Sequence, residues 1–143
     1  SADGQWMLLN NTPDRHQDVF IMRSDGRDLS RITDDKARNW EPRFVGRGGL
    51  RRVVVGGSDE VEVGYALMPE YWSRGLATEL ARECVRVGFE QLGQQELVAF
   101  TLPTNYASRS VMQRVGFLYE RDVIWAGMPH VLYRLPIEVW QGR

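Results

Sequence analysis

Residues Tyr71–Leu80 read YWSRGLATEL: two aromatics, a serine, an arginine and a glycine set directly before a run with helical spacing. Apolar residues at Leu76, Ala77, Leu80, Ala81, Cys84, Val85 and Leu92 follow the i, i+4 rhythm of a helix with one buried face, which Gly93 would close. Upstream, EVEVGYALM (Glu60–Met68) alternates as a strand does, sending Val61, Val63 and Tyr65 to one face and Glu60, Glu62 and Gly64 to the other, with Pro69 ending it. A strand, a glycine-containing loop and a helix in that order can hold an anion, because the first N–H groups of a helix have no internal acceptor. The helix macrodipole adds about half a positive charge at that end. Gly75 lets a phosphate approach the backbone closely; glycines in such loops also serve purely steric ends, so the loop alone leaves both readings open.

Working outward, FVGRGGLRRVVVGG (Phe44–Gly57) pairs as an antiparallel hairpin with the Glu60 strand across Gly56–Asp59. LVAFTL (Leu97–Leu102) is a short continuous apolar run, as expected of a strand buried on both faces, and Pro103 stops it. A second helix is predicted over Tyr106–Val115, capped by Asn105 or Thr104, ended by Gly116, with Ala107, Val111, Met112 and Val115 inward. FLYERDVIW and HVLYRL close the chain as a strand pair around Ala126–Pro129. Ahead of Phe44 the text is a β-meander: QWMLLNN, DVFIMR and RDLSRIT, with Ser24-Asp25-Gly26 as a hairpin turn. The predicted class is α+β, a mixed, mostly antiparallel sheet with two helices, preceded by a β-hairpin or meander segment.

The chain of 143 residues is long enough for one domain with its own core, and 43% hydrophobic with 26% charged residues is ordinary for a globular protein. A net charge of -1 gives no general pull toward nucleic acid or anionic membrane, and no apolar run is long enough to span a bilayer. Cys84 is the single cysteine and falls on the predicted buried stripe, a core residue rather than a nucleophile. His16 and His130 stand far apart without neighbours at ligand spacing, so no metal site is expected. With no signal-peptide pattern, the default expectation is the cytoplasm.

Two longer pieces carry a family resemblance. EVGYALMPEYWSRGLATEL (Glu62–Leu80) and TNYASRSVMQRVGF (Thr104–Phe117) resemble the two motifs of the GNAT superfamily of acyl-CoA-dependent N-acetyltransferases, over about residues 44–135. The chain is most similar to the branch that includes the ribosomal-protein N-terminal acetyltransferases. The family's cofactor core wants Gln or Arg first, Gly fourth and Gly or Ala sixth; here it is Trp72, Ser73, Arg74, Gly75, Leu76 and Ala77, Trp72 being a departure usual in that branch. The resemblance implies that Tyr65, Ala66 and Leu67 offer backbone groups to the pantetheine arm of acetyl-CoA. It also implies that Ser73, Arg74, Gly75, Leu76, Ala77 and Thr78 offer N–H groups to the pyrophosphate. Asn105 and Ser108 would line the far wall by the thiol; a helix cap and a solvent-facing hydroxyl explain them equally well. The implied reaction is attack of a small-molecule or peptide amine on the thioester. It needs a neutral amine, a polarised carbonyl and a proton for the thiolate. Glu62 is the candidate base, its alternative being a solvated strand carboxylate. Where several family members place a proton-donating tyrosine, this chain has Met112, and Tyr106 and Tyr119 lack positional support as substitutes.

Residues 1–44 differ. SADGQWMLLNN, DVFIMRSDGRDLSRITDD and NWEPRF in order resemble one repeat of the Tol-system type of β-propeller, and a lone repeat has no neighbour to cover its faces. No amphipathic helical pattern precedes Phe44, whereas the family begins with a strand and two helices that build much of its acceptor site. The domains expected are therefore 1–44, a meander not stable alone, and 45–143, a GNAT-like acyl-CoA-binding core. Two segments joined near Trp40–Phe44 would form a chimera, its first strands extending the sheet or pairing with a second chain as a homodimer. Two functions follow: an N-acetyltransferase, with activity reduced or lost for want of those elements, or a structural protein with an idle acetyltransferase half.

Overall fold

The computed structural model describes residues 5–11, 18–23, 30–31 and 42–142, with side chains from residue 46 onward. The strands are β1 (Gln5–Asn11), β2 (Asp18–Arg23), β3 (Ser30–Arg31), β4 (Pro42–Val55), β5 (Ser58–Leu67), β6 (Glu96–Thr101), β7 (Leu118–Trp125) and β8 (Met128–Pro136). The helices are α1 (Leu76–Arg86), α2 (Tyr106–Val115) and α3 (Ile137–Gln141). One sheet runs in the order β3-β2-β1-β4-β5-β6-β8-β7, antiparallel at every described junction but β5–β6. Parallel neighbours need a crossover, and α1 supplies it. The α+β class with a mostly antiparallel sheet is thus observed, and β1 extends the sheet by pairing with β4. The turn at Ser24-Asp25-Gly26, the junction at Trp40 and His16 lie outside the described residues.

Alternation divides the apolar residues between two faces. Val63, Leu97, Ala99 and Tyr133 join Leu80, Cys84 and Val85 of α1 and Val111, Met112 and Val115 of α2 in the main core. Val98 and Phe100 of the same β6 face the other way, against Val55, Val123 and Leu132, so β6 is buried on both sides as its sequence requires. Each fully buried Leu or Val contributes about 1.5–3 kcal/mol relative to exposure. Close packing of α1 on the sheet depends on Gly48, where a Cβ would sit 2.4 Å from Leu80 Cδ2.

Local ends follow local chemistry. Gly56-Gly57 and Ala126-Gly127 form two-residue hairpin turns with positive φ at both positions. Asn105 caps α2, its side chain accepting a hydrogen bond from Ser108 N at 3.2 Å. Three expectations need correction. The helix predicted to Leu92 is α-helical only to Arg86, then widens into a π turn over Val87–Gln91 that lets Val87, Gly88 and Phe89 be buried together, before Gly93 turns away at φ 65°. Ala107, expected on the inner stripe of α2, is exposed. A third helix, the five-residue α3, follows β8 and brings Trp140 against Phe89, ring centroids 5.0 Å apart.

Candidate active site: the cleft where β5 and β6 part

β5 pairs with β4 along its whole length, from Ser58 to Leu67, but with β6 only at Glu62↔Val98. Beyond Glu62 the two strands have no further register, and α1 and α2 flank the opening. A cleft of about 790 Å3 results. One wall is the end of β5: Tyr65, Ala66 and Leu67. The loop and first turn of α1 form the floor, through Trp72, Ser73, Gly75, Leu76, Ala77 and Thr78. The opposite wall is α2, with Asn105, Ser108, Val111 and Arg114. Ten of the eleven residues singled out for cofactor contact are therefore brought to one cleft; Arg74 is the exception, its guanidinium lying 5.6 Å over the Tyr71 ring.

The floor turns through left-handed backbone, strained at Ser73 and free of strain at Gly75. Ser73 and Gly75 both adopt left-handed geometry, at φ 60° and 77°, which only glycine takes without cost. The first intrahelical bond runs from Glu79 N to Gly75 O at 3.1 Å, and no side chain among the described residues caps the helix. The N–H groups of Gly75, Leu76, Ala77 and Thr78 consequently have no acceptor within the helix. Among the described residues beyond its own chain neighbours, a Cβ on Gly75 would meet no atom within 4 Å, so they leave the space beside these donors open. That arrangement suits a phosphate.

Trp72 ties the loop back to the strand, its Nε1 donating to Leu67 O at 2.9 Å while its ring stays exposed. This engages a carbonyl at the end of β5 and leaves the other groups of the wall to the cleft. The Tyr65 hydroxyl reaches across to α2, 3.0 Å from Ser108 Oγ. Burial raises the Tyr65 phenol above its ordinary value, with the Ser108 hydrogen bond acting against the rise. Asn105 serves its own helix cap and also donates through Nδ2 to Thr101 Oγ1 at 3.0 Å.

Glu62 does not line this cleft. It lies on the opposite face of the sheet and is buried at 6% exposure, so it is not a solvated strand carboxylate. Arg51 engages its Oε2, and that guanidinium lies 5.5 Å over the Trp125 ring. The remaining oxygen, Oε1, is 3.7 Å from where a Gly64 Cβ would stand. Met112 is buried in the core at 3% exposure. Sequence reasoning missed Trp72 as a tether, and Arg114 and Ser110 as cleft residues; the 3.6-residue period places Arg114 one turn beyond Ser110, a signal that could have found both.

Residues 4–118 match the model of the acetyltransferase (GNAT) domain family. The chain belongs to the GNAT acetyltransferase family. Among curated relatives of this GNAT chain is the FsC-acetyl coenzyme A-N(2)-transacetylase of Aspergillus fumigatus, 42% identical over 62 residues, 43% of this chain and 26% of that protein. The putative ribosomal N-acetyltransferase YdaF of Bacillus subtilis is 33% identical over 89 residues, 58% of this chain and 49% of that protein. Among solved structures, Mycobacterium smegmatis RimJ in complex with CoA-disulfide superposes with a TM-score of 0.59 at 23% identity, over 85% of this chain and 53% of that one, a likeness of fold. The chain spans half or less of the length of these two curated relatives. The family match begins at residue 4 and so takes in the strands likened to a propeller repeat; nothing in the comparisons supports such a repeat or a chimera.

No helix among the described residues is long and apolar enough to cross a membrane, and none of them form a group of three or more metal-binding side chains.

Proposed function

We propose that this chain binds acetyl-CoA in the β5–α1–α2 cleft and transfers the acetyl group to an amine. The observation that carries the reading is the open, uncapped N-terminus of α1 at Gly75, aimed into a cleft that continues between β5 and α2. Gly75, Leu76, Ala77 and Thr78 supply N–H groups to the pyrophosphate, and the loop residues Ser73 and Arg74 hold those groups in place. Arg114, exposed on the α2 wall, adds a positive charge for the cofactor's phosphates. Tyr65, Ala66 and Leu67 border the channel for the pantetheine arm, and Asn105 and Ser108 stand across from them.

Acetyl-CoA, when bound, supplies an activated acetyl group as a thioester. Glu62 is the base that takes the amine's proton: it sits where β5 and β6 part, and among the described residues Arg51 engages Oε2 and none engages Oε1. The amine then approaches through the gap between the strands from the face opposite α1 and α2. The relatives' names support an amine acceptor, being those of N-acetyltransferases.

The test is thiol release from acetyl-CoA against a panel of amines that includes polyamines, aminoglycosides and peptides with free N-termini. The reading expects release above the background rate with at least one class, and a loss of about 100-fold in Glu62→Gln. Background rates with every amine in the presence of bound acetyl-CoA would refute transfer.

A further inference from the structure

The face of the sheet turned away from α1 and α2 gathers a second set of polar and aromatic side chains around Glu62. β5, β6 and β8 lie between β4 and β7 in the sheet, yet Arg121 of β7 donates to Gly56 O, just past the end of β4, at 3.1 Å. Val53 and Val55 of β4 also pack in one cluster with Val123 and Trp125 of β7. The sheet therefore curls until β7 faces β4, with Val98, Phe100 and Leu132 filling the inside of the curl. Arg51 spans it. Its Nε donates to Glu62 Oε2, and its guanidinium lies 5.5 Å over the Trp125 ring. That ring is wedged by Phe100 and His130, at centroid distances of 5.0 and 5.6 Å. His130 is held in turn through Nδ1, which donates to Met128 O at 2.9 Å, since a carbonyl can only accept.

The two partners of this ion pair differ in exposure: the Glu62 side chain is 8% exposed and that of Arg51 47%. Among the described residues no acceptor engages Nη1 or Nη2 of Arg51. A guanidinium stacked by its face and tethered through Nε keeps its two terminal nitrogens for an edge-on partner, and a carboxylate fits them with two parallel bonds. Resting on the acetyl-transfer reading above, we infer that Arg51 is the carboxylate subsite for the acceptor, and that the acceptor is an α-amino acid with its carboxylate free. Arg51 and Glu62 set a positive and a negative charge in direct contact, and a zwitterion is their complement: ammonium toward Oε1 of Glu62, carboxylate on Nη1 and Nη2 of Arg51. Because the pair is in contact, the two charges of the substrate must also be close, as they are when amine and carboxylate share one carbon. Polyamines and aminoglycosides bring only positive charge, which Arg51 repels, and a peptide N-terminus has a neutral amide beside its amine, leaving the fork without a partner. Trp125 is the positioning residue that holds the plane of the fork.

An arginine that served only to hold Glu62 would show the same contacts, so the test removes the carboxylate from the substrate as well as the arginine from the protein. The common L-amino acids, each beside its own amide, are titrated calorimetrically into the wild type with and without coenzyme A, at about pH 6.5, where both amines carry a proton. At least one amino acid is expected to bind with a Kd of about 1 mM or tighter, and its amide about 30-fold more weakly. In Arg51→Gln acid and amide should bind within about 3-fold of each other. Thiol release from acetyl-CoA should follow: the acid-to-amide ratio of kcat/KM falls from about 30 to near 1 in Arg51→Gln, carried by KM for the acid. Equal losses in kcat for acid and amide would instead mark Arg51 as a support for Glu62 and overturn the subsite. An amide that binds the wild type as tightly as its acid, or no amino acid that binds, also overturns it and leaves the cofactor reading standing; this comparison needs no variant to fold. Coenzyme A that fails to bind the folded wild type overturns the cofactor reading, while acid against amide on the chain alone still decides the subsite.

Discussion

Gly75 is held at φ 77° on the floor of the cleft, and among the described residues beyond its own chain neighbours no atom lies within 4 Å of where its side chain would begin. Substituting alanine should cost about 1 kcal/mol of stability from left-handed strain, read from a denaturant melt. Its added methyl would stand beside the free N–H groups, so acetyl-CoA affinity should fall about 10-fold, more than the loss of stability alone accounts for. Gly75→Ala with wild-type affinity would show that the phosphates lie elsewhere. Its place at the head of α1 was legible in the sequence because that signal is local: a glycine ahead of a periodic apolar run. The Tyr65–Ser108 contact was not, since no period within a strand or a helix reports which residue of one meets which residue of the other. Glu62 was half legible. Alternation gave its face, but Arg51, which buries and engages it, is its register partner on β4, and exact register is fixed only when the Gly56-Gly57 turn is known to hold two residues.

At the scale of elements, α1 shows how a period becomes a core. Leu76, Leu80, Ala81, Cys84 and Val85 are all buried, as their spacing demands. Burial, with Glu83 alongside, pushes the Cys84 thiol from 9.0 up to about 12. A folded-state value above the unfolded one means the bound proton stabilises the fold, fully below pH 9, with the contribution lost as pH rises toward 12. Comparing wild type with Cys84→Ala in denaturant melts should therefore show a constant difference below about pH 8, and wild type losing ground from pH 9 to 11. Curves that stay parallel would mean the thiol ionises in the folded chain as it does in the unfolded one. Helix ends were less legible than helix faces. The π turn at Val87–Gln91 satisfies tertiary burial of Val87 and Phe89, which local propensity does not encode, and Ala107 follows an apolar period yet faces the cleft because the first turn of α2 lies beside the opened strands.

For the whole molecule, the sheet must open at β5–β6 without coming apart. Arg134 on β8 holds the closed end: it reaches Glu60 on β5 through two bonds of 2.8 and 3.0 Å, Glu96 on β6 at 2.7 Å and Glu120 on β7 at 3.1 Å. The carboxylates raise its already high pKa, so it is charged at every working pH. Arg134→Met leaves Glu60, only 11% exposed in its side chain, without that partner and should cost about 2 kcal/mol, less than a fully buried pair would. A melt within 0.5 kcal/mol of wild type, on the order expected for a plain surface change, would remove Arg134 from this role. The order of strands and helices from Phe44 to Leu135 was readable in the chain, because turns, caps and periods are local; α3 beyond it was not. The placing of β1 beside β4 was not, for a strand pattern names no neighbour. The central claim is that the parted strands and the open end of α1 make a cradle for acetyl-CoA. Calorimetric titration of acetyl-CoA into the folded chain tests it most directly: a saturable one-to-one heat with Kd of about 1–100 μM, roughly -8.2 to -5.5 kcal/mol, is predicted. No heat and no thermal shift at millimolar acetyl-CoA would contradict it.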